Sequence, residues 1–294
     1  MTVLVDPALA ADARRERRFF LSLSLPALFV VGLAAILPIL WIIRQSFLSI
    51  AGEYTVGNYE KVLSSGLTWL ALVTTFELSL GTLFACILLG TPLAFALAGA
   101  RPRVANVLMA FVMLPLWTSI LVRTYGWLVL LRRDGLINAA LTASGLTSEP
   151  LPLVYNFTGT LIGMVHYMLP LFLLPVYAAM RDIETDLVRA SASMGATLGQ
   201  VIRTVILPLS AGGIVSGSMI VFIYTIGFFI TPAVLGGGKV NPLSIRIERT
   251  LSTFQDWGSA SVLGILLLVV TALVGVMFVA ARRLMAQNRT GAHA

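Results

Sequence analysis

The chain has 294 residues, 58% of them hydrophobic and 11% charged, with a formal net charge of +7 and a mean hydropathy of +0.93. A soluble domain carries about 25% charged residues, so this composition excludes a soluble globular protein and points to an integral membrane protein. The positive balance reads as an orientation signal for membrane segments rather than a nucleic-acid footprint. The one cysteine, Cys86, lies in an apolar run and excludes an internal disulfide.

Arg14, Arg15, Arg17 and Arg18 precede an apolar run from Phe19 to Ile43. The apolar region of a signal peptide is about 7–15 residues long. This run is longer and predicts an uncleaved first span behind a cytoplasmic segment, 1–18. Further apolar runs place spans at about 69–99, 105–131, 156–180, 209–235 and 259–281. The predicted fold is therefore all-α: a six-helix transmembrane bundle over 19–281, followed by a cytoplasmic tail at 282–294. The strict alternation of a membrane β-barrel is absent.

An even number of spans puts both termini on one side. With that side cytoplasmic, Arg14, Arg15, Arg17, Arg18, Arg101, Arg103, Arg181, Arg189, Arg203, Arg282, Arg283 and Arg289 lie inside, 12 of the 20 basic residues. Arg132 and Arg133 argue the other way, but the clusters flanking the first and last spans directly decide for termini inside.

Between the spans, Gly52, Gly57 and Gly66 mark an outer loop, and Arg101-Pro102-Arg103 a tight inner turn. Leu136 to Leu146 suits a short surface helix, and Gly236 to Gly238 form an outer glycine loop. Pro26, Pro38, Pro92, Pro115, Pro170, Pro175 and Pro232 interrupt spans. Each removes a donor that lipid cannot replace, so neighbours must satisfy the freed carbonyl. Such prolines serve as plain kinks or as hinges of a path. Gly159-x-x-x-Gly163 and Gly213-x-x-x-Gly217 offer flat faces for helix contact.

Residues 181–208 form a polar segment between spans four and five. Asp182, Glu184 and Asp186 suit the positive end of a helix dipole, and Thr185 is expected to cap that helix. Small residues at 190–193 let another surface approach the backbone. Gly195 is expected to end the helix in a left-handed turn, and Thr197 to cap a second short helix that Leu207-Pro208 stops. The product is an elbow of two short helices on the membrane surface, either a docking surface or an ordinary amphipathic link.

This segment resembles a family. Inner-membrane permease subunits of binding-protein-dependent ABC importers carry Glu-Ala-Ala, three residues, Gly, nine residues, then Ile-x-Leu-Pro. Here Arg189-Ala190-Ser191, Gly195 and Val205-Ile206-Leu207-Pro208 keep that spacing, ahead of the last two spans. The resemblance implies a coupling helix that docks on an ATPase subunit, with Arg189, Ala190, Ser191, Met194, Gly195, Ala196, Leu207 and Pro208 as its residues. It implies a bacterial inner-membrane location, an ABC ATPase dimer that holds ATP and Mg, a second permease subunit and an extracytoplasmic solute-binding protein, with no cofactor on this chain. Arg189 stands where the family has glutamate, which reverses any salt bridge at that point and leaves the shape set by Gly195 and Pro208.

Leu114-Pro115-Leu116-Trp117-Thr118-Ser119 and Val122-Arg123-Thr124-Tyr125-Gly126 are similar to span three of the spermidine/putrescine permeases. Tyr167-x-x-Leu169-Pro170, Leu173-x-Pro175-x-Tyr177 and Leu235-Gly236-Gly237 fit the same group, so the similarity runs over about 69–281. It implies a polyamine as solute. Relatives for ferric iron, anions or other organic cations share these patterns, and those solutes stay open.

No Gly-x-x-x-x-Gly-Lys-Ser/Thr loop exists here, since Gly238-Lys239 is followed by Val240. A self-sufficient secondary transporter would need ion-coupling carboxylates in several spans, and a membrane enzyme would need clustered His, Asp, Glu or Cys. Only Glu77 is a candidate for the first, and nothing serves the second. An ionised group at the bilayer centre costs about 2.5–3.5 kcal/mol on insertion scales. Glu77 therefore lines a path, pairs inside the bundle or sits near the outer boundary. Trp117, Tyr125, Phe222, Tyr224, Phe228 and Phe229 offer faces for an ammonium group, or serve as core and interface belt. Arg123 is expected to pair, to snorkel or to meet the binding protein. His166 is expected to be a hydrogen-bonded packing residue.

Overall fold

A computed structural model describes the backbone at residues 7–291 and side chains at 16, 19–20 and 22–280. Residues 1–6 and 292–294 lie outside the described residues, as do the side chains of the terminal arginines that orient the chain. The first span is α1 (Pro7–Ser46); a short α2 (Gly57–Leu63) leads into the second span, α3 (Gly66–Gly99). Then come α4 (Pro102–Met113), α5 (Ile120–Leu131) and α6 (Leu136–Ala143), followed by the long α7 (Phe157–Arg181). The elbow contributes α8 (Thr185–Ser193) and α9 (Leu198–Val201), and α10 (Leu207–Ile226) climbs back through the bundle. The chain closes with α11 (Ile230–Leu235), α12 (Leu243–Ser252) and α13 (Trp257–Gly291).

Among the described residues five helices are long and apolar enough to cross a membrane, and a bent pair, if counted as one span, makes a sixth. That pair corrects the continuous helix expected over 105–131. A 3-10 turn at Leu114–Trp117 leads to extended backbone at Thr118 and Ser119, and the chain turns by 101° before α5. Pro115 is the cause: it cannot donate to the carbonyl one turn back. The Pro115 carbonyl instead takes both the Thr118 amide, at 3.2 Å, and the Thr118 hydroxyl, at 2.8 Å.

The helix expected over 209–235 breaks too, between Ile226 and Ile230. In a continuous helix the amide of residue 232 would bond the Phe228 carbonyl, but Pro232 has no amide hydrogen. The Ser244 hydroxyl donates to that carbonyl instead, at 2.9 Å. At the second break a side chain thus supplies what the proline removes, and at the first the Thr118 hydroxyl satisfies a carbonyl that the turn itself frees.

The centre of the bundle is the contact of α3, α7 and α10. Phe172, Leu173, Val176, Val221 and Cys86 are wholly buried there. Small residues bring the backbones close. A methyl group on Gly213 would lie 2.5 Å from the Pro175 carbonyl oxygen, and one on Gly217 would lie 2.8 Å from that of Phe172. The flat face read at Gly213-x-x-x-Gly217 is therefore in use against α7. By contrast, α1 packs along α13 with none of its residues 22–45 buried, as a lipid-facing helix requires.

The end of the bundle opposite the elbow is tied by polar groups. Asn58 donates to the carbonyls of Ser46 and Leu48, at 2.9 and 2.8 Å. Asp256 accepts from the Ser259 amide at 2.9 Å, which caps α13, and pairs with Lys61 at 2.6 Å. Burial opposes ionisation of Asp256, but the Lys61 bond and the Ser259 bonds outweigh it and hold its carboxyl below the usual range. A depressed carboxyl stabilises the fold above its unfolded pKa, about 3.9, and loses that contribution as the pH falls through the folded value. Lys61 is largely exposed, so solvent weakens the pair, and the cap and the pair share the effect. Asp256→Ala is expected to destabilise the chain by about 1–2 kcal/mol at neutral pH. Thermal unfolding checks this: the gap between variant and wild type should close below about pH 4.

Candidate functional site

The elbow is built from local hydrogen bonds in consecutive residues. Glu184 is the residue before α8 and Thr185 its first helical residue, so Thr185 does not cap it, and no side chain does. Asp186 sits in the first turn and meets Arg189 at 3.4 Å, with both side chains exposed. At its other end the helix closes in a Schellman turn. Gly195 takes φ +85°, its amide bonds the Ala192 carbonyl at 3.0 Å, and the Ala196 amide bonds the Ser191 carbonyl at 3.2 Å. No heavy atom lies within 4 Å of a methyl group built on Gly195. The glycine is needed for its backbone angle alone, which costs other residues about 1–2 kcal/mol.

Thr197 then opens α9 through a reciprocal capping box with Gln200, at 2.7 and 3.4 Å. The expected stop at Leu207-Pro208 is absent. A π-helical stretch at Ile202–Ile206 carries α9 straight into α10, and the Leu207 amide bonds the Ile202 carbonyl, five residues back. The wider turn absorbs the proline without breaking the rod. The elbow is therefore one short helix, a hinge-free glycine turn and the foot of span five.

Val188, Ile183, Ala196, Val201 and Ile206 anchor this elbow against Met180 and Leu97 of the core. What it presents outward is Arg189, Ala190, Met194 and Gly195, with Met194 83% exposed. Ser191 and Ala196 are half-buried, and the Ser191 hydroxyl is held by the Leu187 carbonyl at 2.9 Å. Leu207 and Pro208 are exposed at the foot of α10. Leu187 and Leu198, which sequence reasoning did not single out, add exposed apolar surface beside Met194. The signal available was an apolar residue at each turn of a segment otherwise polar.

The candidate path residues scatter. Glu77 lies on an exposed α3 face between Val73 and Leu80, and among the described residues nothing bonds or pairs with it. Counted from Gly99, a hydrocarbon core of about 30 Å takes about 20 residues of helix. Glu77 therefore falls at the far boundary, beside the segment where the Leu243 amide bonds Thr75 at 2.9 Å. Trp117 is 91% exposed at the break of span three, and Tyr125 and Tyr224 are exposed on α5 and α10. Phe222 is buried between Phe76 and Phe278 and belongs to the core. Phe228 and Phe229 occupy the break of span five, Phe228 half-buried and Phe229 exposed.

Three groups do come together. The Arg123 guanidinium lies over the Tyr167 ring, 4.5 Å from its centroid, and Tyr167 meets Phe228 at 5.1 Å. Arg123 also donates to the Thr118 carbonyl at 3.2 Å. A cation–aromatic stack thus joins the break of span three to the break of span five. Of the outcomes expected for Arg123, ion pairing is not the one taken. His166 packs edge-on to Trp127 at 5.4 Å and hydrogen-bonds no described group, which corrects its expected role.

Residues 87–287 match the family described as binding-protein-dependent transport system inner membrane component. The spermidine/putrescine transport system permease protein PotB of Haemophilus influenzae is 30% identical over 259 residues, 85% of this chain and 89% of that protein. Its Escherichia coli counterpart is 28% identical over 255 residues, 85% of this chain and 92% of that protein. Among solved structures, a chain of a bacterial ABC transporter that imports the acidic polysaccharide alginate superposes with a TM-score of 0.75. It is 18% identical and is covered over 94% of this chain and 98% of its own.

Proposed function

The chain belongs to the family of inner-membrane components of binding-protein-dependent transport systems, as an ABC importer permease, and we propose that it forms half of a polyamine path. The second half is a second permease chain. ATP and Mg are handled by a separate ATPase dimer, and solute is delivered by an extracytoplasmic binding protein. The elbow and both termini face the cytoplasm, and the outer loops meet the binding protein.

The observation that carries this reading is the elbow itself. It exposes Arg189, Ala190 and Met194 on a frame fixed by the Gly195 turn and the Thr197 box, and α10 continues from it without a joint. A push on α8 therefore reaches α7 at one end and α10 at the other. Interactions that differ between two states of the ATPase can then bias two states of the bundle. The spermidine/putrescine relatives support the solute, and the exposed Glu77 carboxylate is chemically suited to a protonated amine.

Proline cannot adopt the φ of +85° found at Gly195. In the assembled transporter, Gly195→Pro is expected to abolish solute-stimulated ATP hydrolysis and uptake while leaving membrane insertion intact. Normal transport by this variant would remove the coupling role. An exposed ion pair is worth up to about 1 kcal/mol, so Glu77→Gln is expected to raise KM for spermidine up to about fivefold. Uptake by vesicles measures it, and an unchanged KM would take Glu77 out of the path.

A further inference from the structure

At the end of the bundle opposite the elbow, a cavity of about 410 Å³ opens between the start of α3 and α12. Lys239, Arg246 and Arg249 all line it, and no carboxylate does. Among the described residues none of the three is in an ion pair. The nearest acid on α3, Glu77, is one turn beyond the lining residue Thr74 and pairs with none of them. Three like charges sharing one hollow repel one another, and the partial burial of Arg246 adds to that cost. An arrangement of this kind is stable when an anion completes it.

Two orphaned atoms lie beside the hollow. Arg246 is half-buried; its Nη2 donates to the Ser65 hydroxyl at 3.1 Å, while its buried Nε has no acceptor. Burial also pulls its pKa down, the sign of a cation that lacks a counter-ion. Asn241, another lining residue, has a buried Oδ1 that no donor reaches. Neither atom has surface open to the hollow, so a ligand there is recognised by its charge rather than by these two atoms. The rim is apolar: Leu67, Leu70 and Phe254 line the hollow and are 62–71% exposed. An acyl chain that leaves the hollow can rest on this rim while its headgroup sits inside.

We propose that Lys239, Arg246 and Arg249 form a binding site for a phosphate-type anion, supplied as the headgroup of an anionic phospholipid. The site does not depend on which solute the transporter carries. Lys239 and Arg249 are exposed, so Lys239→Gln with Arg249→Gln leaves the fold in place. Arg246 is left intact because it holds Ser65.

The test is thermal unfolding of the delipidated full-length chain in detergent, titrated with short-chain phosphatidylglycerol, short-chain phosphatidylcholine or inorganic phosphate. A ligand that binds the folded state raises the midpoint by mass action. Phosphatidylglycerol is expected to raise it, and the double variant to need about thirty-fold more lipid, from roughly fivefold per basic residue. A gain from phosphatidylglycerol alone assigns the lipid; an equal gain from inorganic phosphate assigns the free anion to the same site. An equal gain from phosphatidylcholine, an unshifted double variant or no gain from any anion overturns the proposal.

Discussion

The close approach of α7 and α10 is the constraint on which the rest depends. Gly213 and Gly217 let the α10 backbone rest against Phe172 and Pro175, at distances no side chain would allow. Phe172 in turn fills the space against Gly90 of α3, so three spans share one contact. The elbow begins where α7 ends and finishes where α10 begins. Because these two helices are locked along their length, the elbow cannot move without moving the centre of the bundle. A loop hung between loosely packed helices would dissipate the same displacement.

The second constraint is that lipid offers no hydrogen bonds, so each proline forces a local solution. At Pro232 the solution is a break and a serine from α12; at Pro115 it is a sharp turn closed by Thr118. At Pro208 it is a wider helical turn that keeps the rod intact. These outcomes differ because of what surrounds each site. The rod survives at the foot of α10, and two breaks meet at the Arg123–Tyr167–Phe228 stack.

What the sequence made legible follows the range of the interactions. The Gly195 turn and the Thr197 cap are settled by residues within five positions, so their spacing announces them. Six apolar runs are also local, since length and composition suffice. The one-residue shift from Thr185 to Glu184 at the start of α8 lies within the freedom of a helix end without a side-chain cap. The 101° turn in span three was not legible, because Pro115 reads identically in a mild kink and a break. Nor was the burial of Phe222, which depends on Phe76 and Phe278 arriving from distant spans. Tyr167 was visible only as part of a family pattern; its role as the ring between Arg123 and Phe228 is tertiary.

The proposed coupling role requires a separate motor subunit to hold the exposed tip of the elbow. A photo-crosslinking amino acid at position 194, the most exposed apolar point of that tip, probes this contact in the assembled transporter. One major adduct is expected, to the ATPase subunit, with a yield that changes when ATP is added. An adduct to the solute-binding protein, or none to any partner, would rule the coupling role out.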